Sequence, residues 1–119
     1  LDVAKRALDI HAEVLGERHP DTLATMKTYS ASLGKLGRHE EALDVIKRVL
    51  DIETEVLGER HPDTLATMKT YSTSLGKLGR HEEALDVAKR VLDIETEVLG
   101  ERHPDTLATM KTYSTSLGK

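Results

Sequence analysis

The side chains here that could do chemistry are histidines, lysines and carboxylates, because cysteine is absent. The six imidazoles are His11, His19, His39, His61, His81 and His103. A zinc site on one helix wants two of them four residues apart, so that both rings meet one ion from the same side. No two have that spacing, and His19 and His39 fall at opposite ends of one helical pattern. No metal and no cofactor are expected, and the histidines read as loop residues in solvent. His61-Pro62-Asp63 has the form of a helix start and not of an acid–base pair. It recurs as His19-Pro20-Asp21 and His103-Pro104-Asp105, so a catalytic reading would need three identical active sites along one chain. No enzyme is expected.

That recurrence organises the whole chain. The phrase LGERHPDTLATMKTYS is spelled identically at residues 15–30, 57–72 and 99–114, a period of 42 residues. Residues 43–84 and 85–119 differ over their shared length only at Ile46 against Ala88. Residues 1–35 differ from 43–77 at five places: Ala4, Ala7, His11, Ala12 and Ala31. Recent duplication and deliberate consensus design both produce such uniformity.

Each period holds two helical patterns. Pro62 suits the first turn of the first one, where its missing N–H would be unpaired anyway, and Asp63 suits the positive end of the helix dipole. Leu65, Met68, Ser72 and Leu75 follow at three- and four-residue steps and so share a face. Leu78-Gly79-Arg80 ends the helix, with the glycine free to turn left-handed. A second helix begins near His81-Glu82 and carries Ala84, Val87, Ala88 and Val91 on one stripe, widened by Leu85, Leu92 and Leu99. Asp44 with Lys47 and with Arg48 makes i,i+3 and i,i+4 pairs expected to steady its surface. Short connections force successive helices to be antiparallel neighbours. Six helices are predicted, over 1–15, 20–35, 39–57, 62–77, 81–99 and 104–118, alternating an outer type with a shorter inner type. The fold class is all-α, an α-solenoid of antiparallel helix pairs. Its units are an outer helix of a partial repeat (1–15), two repeats (20–57 and 62–99) and an inner helix of a partial repeat (104–119).

Composition agrees. With no Phe or Trp and only Tyr29, Tyr71 and Tyr113 as aromatics, a thin continuous core suits the chain better than one deep core. The tyrosines should pack between repeats. A net charge of −4 gives no pull toward nucleic acid. LDVAKRALDI mixes charge with aliphatics and is neither a secretory segment nor a membrane span. Absence of cysteine suits a reducing compartment, and a cytoplasmic location is expected. A start on Leu1 inside a helical pattern suggests a piece of something longer.

On the inner helix, Ala24, Lys27, Ala31 and Lys35 form a stripe turned away from Leu23, Met26, Ser30 and Leu33. Through the array this gives two lysine ladders, Lys27/Lys69/Lys111 and Lys35/Lys77/Lys119. The outer helix carries Glu40, Glu41, Asp44, Asp51, Glu53 and Glu55 against only Lys47 and Arg48. A basic inner face and an acidic outer face are therefore expected.

HPDTL, the following Ala-containing helix, LGRHEEAL and a long helix ending VLG together resemble a tetratricopeptide repeat, in the 42-residue variant of kinesin light chains and nephrocystin-type proteins. The resemblance covers the whole chain. It implies that Met26, Ser30, Leu33, Gly37 and Ala42 are packing residues, with Ser30 small where the two helices approach closely. The chain departs from the family in having Lys27-Thr28-Tyr29-Ser30 where Asn-Asn-Leu-Ala is usual. Thr28, Thr70 and Thr112 therefore replace the asparagine that commonly touches bound peptide backbone. His39 and His81 stand where an aromatic is frequent.

The resemblance further implies a non-enzymatic protein–protein interaction scaffold, with the concave groove lined by inner helices. Its candidate partner-binding residues here are Lys27, Thr28, Ala31, Lys35, Lys69, Thr70, Thr73, Lys77, Lys111, Thr112, Thr115 and Lys119. The expected partner is a protein or peptide, an extended acidic segment above all, with no nucleic acid and no membrane. The lysines also suit ordinary solvated positions, Lys35 being favoured by a helix C-terminus. A second function class is a structural, self-assembling repeat segment without a native ligand. Its ends are expected to expose Leu107, Met110 and Leu117 on one side and part of the Leu1, Ala4 and Leu8 side on the other, giving head-to-tail contact.

Overall fold

The structure, a computed structural model, describes residues 2–117, with side chains as far as 115. Among these residues there are six helices and no strand: α1 Asp2–Leu15, α2 Pro20–Lys35, α3 His39–Val56, α4 Pro62–Lys77, α5 His81–Val98 and α6 Pro104–Leu117. Extensive packing joins only helices consecutive in the chain. The result is a slab of 41 × 29 × 19 Å. This is the expected α-solenoid, with outer helices α1, α3 and α5 alternating with inner helices α2, α4 and α6.

The helix starts come from the GERHPD turn. His19, His61 and His103 are not idle loop residues in solvent, as the sequence suggests. Each is half-buried, and its Nδ1 accepts the backbone N–H two residues on, at 3.1, 3.0 and 3.1 Å. An imidazole nitrogen thus does the work usually given to serine or aspartate at an N-cap. Helices α2 and α4 end on a Schellman motif. Arg38 N–H donates to Leu33 C=O at 2.9 Å and Gly37 N–H to Gly34 C=O at 3.0 Å. Gly37 and Gly79 supply the φ of 78° and 81° this needs, which side chains rarely tolerate.

One apolar cluster is built twice, 42 residues apart. Leu23 and Met26 of α2 pack on Val49 and Ile52 of α3, with Leu8 and Val45 alongside. Leu65, Met68, Val91 and Ile94 repeat this, with Leu50 and Val87. A second pair of clusters joins Tyr29, Leu33 and Ala42 to Ala4 and Leu8, and Leu75, Leu43 and Ile46 to Tyr71 and Ala84. Tyr29 and Tyr71 therefore do pack between repeats. Ser30 and Ser72 close the inner–outer contact, their Oγ donating to Ala42 C=O at 2.9 Å and Ala84 C=O at 2.8 Å.

Two surface expectations change. Asp44 forms no ion pair with Lys47 or Arg48 among the described residues. Lys47 instead reaches Asp51 at 3.5 Å, and Arg48 crosses to Glu17 in the preceding turn. Arg90 repeats that crossing to Glu59, and this hydrogen bond holds the Glu59 carboxyl below its ordinary value. The arginines thus tie the turn to the outer helix, while Lys47 keeps a local i,i+4 partner. The exposed side of α1 is also not the expected one. Ala4 and Leu8 are half-buried against α2, and Leu1 lies outside the described residues. Val3 and Ile10, at 77% and 56% exposure, face the side where Val45 and Ile52 meet an inner helix.

Replacing His61 with alanine removes a cap acceptor and should lower stability by about 1 kcal/mol, whereas His61→Asp should keep it. Urea denaturation of the two variants checks the pair.

Candidate functional site

The inner helices put their lysine stripe on one face, and the residues between are small enough to leave a groove. Between α2 and α4 it encloses about 420 Å³ and is lined by Lys27, Ala31, Gly34 and Lys35 on one wall. Thr70, Thr73, Ser74 and Lys77 form the other wall, and His39, Ala42 and Ile46 of α3 make the floor. Of the residues singled out from sequence, this site brings together Lys27, Ala31, Lys35, Thr70, Thr73 and Lys77. A smaller groove between α4 and α6, about 200 Å³, gathers Lys69, Thr73 and Thr112 over Ala88. Thr28, Lys111 and Thr115 are exposed beyond both pockets. Lys119 lies outside the described residues.

The threonines of this face are partly spent on their own helices. Thr28 donates to Ala24 C=O at 3.2 Å, Thr70 to Ala66 C=O at 3.2 Å and Thr73 to Lys69 C=O at 3.0 Å. Their hydroxyl oxygens still offer acceptor lone pairs, and their methyl groups smooth the walls.

The electrostatics differ from the expected basic-inside, acidic-outside division. Glu53 and Glu95 are not on the outer face, and each is only 2% exposed. Lys27 Nζ donates to Glu53 Oε2 at 2.8 Å, while Thr67 of α4 donates to Oε1 of the same carboxylate. Lys69 Nζ meets Glu95 Oε2 at 2.8 Å, and Thr109 of α6 takes Oε1. Each glutamate therefore joins three helices: the inner helix before it, its own outer helix and the inner helix after it. A buried carboxylate is tolerable only with partners of this kind. In α1 the same place is taken by His11, whose Nδ1 lies 2.8 Å from the Thr25 hydroxyl.

Sequence reasoning missed these glutamates because Glu53 was counted with the charged face. The signal was present, since Val49, Ile52 and Glu53 stand at i, i+3 and i+4 and so put a carboxylate on the apolar stripe.

The remaining charges near the groove are also partnered. Arg38 grips Glu41 through Nε at 2.7 Å and Nη2 at 2.8 Å, and Arg80 grips Glu83 at 2.9 and 2.8 Å. These hydrogen bonds raise the guanidinium pKa of Arg38 and Arg80 and lower the carboxyl pKa of Glu83. Lys35 and Lys77 have no carboxylate partner among the described residues. No group of three histidines or carboxylates placed to hold a metal occurs among the described residues.

Lys27→Met should destabilise the chain by about 2–4 kcal/mol, because it strands a buried carboxylate. Glu53→Gln should cost less, because the partly exposed lysine can turn to water. Chemical denaturation of the two variants would show this asymmetry, and equal losses would contradict it.

The comparisons with known proteins bear on this architecture. The tetratricopeptide repeat family model matches residues 1–52 and 28–94. A search of curated proteins gives no match. Among solved structures, a protein of Podosopora anserina, described as a kinesin light chain with nearly identical TPR-like repeats, is similar. It superposes with a TM-score of 0.88 at 23% identity, over 97% of this chain and 55% of that one. A variant of the same protein gives 0.87 at 23% identity, over 97% and 54%. This chain thus spans about half the length of those it matches. Among the described residues no helix is long and apolar enough to cross a membrane. Tetratricopeptide arrays generally mediate protein–protein interaction, and their fold is of a non-enzymatic scaffold type. With the family model covering well over half of its length, the chain belongs to the tetratricopeptide repeat family.

Proposed function

We propose that this chain is a protein-binding scaffold whose inner-helix groove takes an extended acidic segment of a partner. The observation that carries this reading is the pair Lys35 and Lys77. They lie on opposite walls of the α2–α4 groove, with no carboxylate partner among the described residues. Small walls of Ala31, Gly34 and Ser74 let a main chain approach, and Thr70 and Thr73 flank its path. The row continues past α4 through Thr112, Lys111 and Thr115, all exposed. An extended segment rises about 3.3 Å per residue, so acidic side chains a few residues apart would meet successive lysines.

Exposed Lys–carboxylate pairs contribute only about 0–1 kcal/mol each, so affinity should be modest and strongly screened. Binding of a labelled acidic peptide, followed by anisotropy, should weaken several-fold from low salt to ~0.5 M. Unchanged affinity across that range would rule the reading out.

A second reading, head-to-tail self-association, has its own observation. Leu107 and Met110 are 50% and 40% exposed, whereas Leu65 and Met68 at the same places in α4 are 5% and 6%. Val3 and Ile10 of α1 are exposed at the positions through which Val45 and Ile52 pack on an inner helix. The two bare faces are thus the halves of a contact the chain already makes internally. Light scattering of the chain should then show mass rising with concentration, and Leu107→Glu with Met110→Glu should abolish the rise. A monomer at every concentration defeats it.

A further inference from the structure

The lysines of the inner-helix face have nearly identical sequence surroundings in each repeat but not identical electrostatics. Lys27 and Lys69 each hold a buried carboxylate at 2.8 Å, on a side chain only 3% exposed. Lys35 and Lys77 hold none among the described residues, although they line the same groove as Lys27. Near the groove, Arg38 and Arg80 are committed to Glu41 and Glu83. His39 lies on the floor of that groove.

We propose that Glu53 and Glu95 mask the central lysines, so that an acidic partner is read by Lys35 and Lys77 and not by Lys27 and Lys69. The partner's acidic side chains would then sit toward the C-terminal ends of the inner helices, and the middle of the groove would meet the partner as an electrically neutral wall. The proposal rests on the acidic-segment reading above and sharpens it. A lysine already donating to a carboxylate with little access to water has its charge cancelled at short range, so a second carboxylate gains little by approaching it. An open lysine keeps the whole of its attraction. Masking also predicts a gain: neutralising the buried partner frees a cation inside the groove without adding any new residue to its surface.

The structure holds its own control. Lys111 repeats the ATMKTYS context of Lys27 and Lys69, yet it is exposed and has no carboxylate partner among the described residues.

Two measurements on the whole chain test this. In the first, a limiting amine-acylating reagent is followed lysine by lysine with mass spectrometry. Lys35, Lys77 and Lys111 should react several-fold faster than Lys27 and Lys69, and Glu53→Gln should bring Lys27 up to the rate of Lys35. Equal rates for Lys27 and Lys111 in the unaltered chain would overturn the masking, whatever any ligand does. In the second, a labelled oligo-glutamate peptide is titrated at low salt. Lys35→Ala with Lys77→Ala should weaken binding about three- to tenfold, as loss of two exposed pairs implies. Lys27→Met with Glu53→Gln removes a cancelled pair and should stay within about twofold, while Glu53→Gln alone should tighten binding. A loss for the Lys27/Glu53 variant equal to that for the Lys35/Lys77 variant overturns the proposal. If no variant binds the peptide while Lys27 remains slow to acylate, the acidic-segment reading and the assignment of its contacts fall, and the masking of Lys27 stands.

Discussion

Extensive packing in this molecule joins only sequence neighbours, so the array depends on one junction: an outer helix seated between the inner helix before it and the inner helix after it. Among the described residues no distant strand or closing helix corrects an error made there. The junction around α3 shows how it is fixed. Leu23 and Met26 meet Val49 and Ile52 on one side of α3, and Leu75 and Tyr71 meet Leu43 and Ile46 on the other. Glu53 lies between the two inner helices and touches both, through Lys27 and Thr67.

These two kinds of contact do different work. Fully burying a Leu-, Ile- or Met-sized side chain contributes about 1.5–3 kcal/mol, so the four-residue clusters dominate the stability of each junction. Such contacts are forgiving of small slides, since one methyl group packs much like another. A buried carboxylate is not forgiving. Its two oxygens must meet a lysine on one helix and a hydroxyl on the next, and a shift of either helix leaves a charge or a lone pair unsatisfied. Such a pair adds little net stability against an apolar replacement, but it penalises the wrong register heavily. The same lock determines the surface above it, because the lysine it recruits comes from the groove.

The helices were legible because two periodicities reinforced one another: the 3.6-residue step within each element and the 42-residue step between them. The predicted spans match the observed ones closely, since Pro20, Pro62 and Pro104 begin helices and Gly37 and Gly79 follow their ends. The site was less legible. The groove residues could be placed on a face, but a face says nothing about what lies beneath it. Glu53 belongs by type with Glu55 and Asp51, and only the stripe position separates it from them. The capping by His19, His61 and His103 was hidden for a related reason. Histidine is not among the usual caps, and a ring nitrogen two residues before an N–H becomes an acceptor only once the turn is formed.

Near-identity of the repeats implies near-identical grooves, and the walls are alike except that Ala31 stands where later repeats have Thr73 and Thr115. The floors are not. The α2–α4 groove rests on Ile46, which is almost wholly buried, and the α4–α6 groove rests on Ala88. This is the single difference between residues 43–84 and 85–119, and it falls under the proposed binding face instead of on the solvent side. The floor is thus a branched aliphatic side chain in one groove and a methyl group in the next. The floor of the groove therefore does not repeat, and neither does the groove's charge, since Lys27 and Lys69 hold a buried carboxylate and Lys111 holds none among the described residues. A partner with evenly spaced acidic residues would meet Lys35 and Lys77 alike, but its intervening side chains would meet a different floor in each groove. In a solenoid of copied parts, Ile46 against Ala88 on the floor and Ala31 against Thr73 on the wall are what make successive grooves differ in lining.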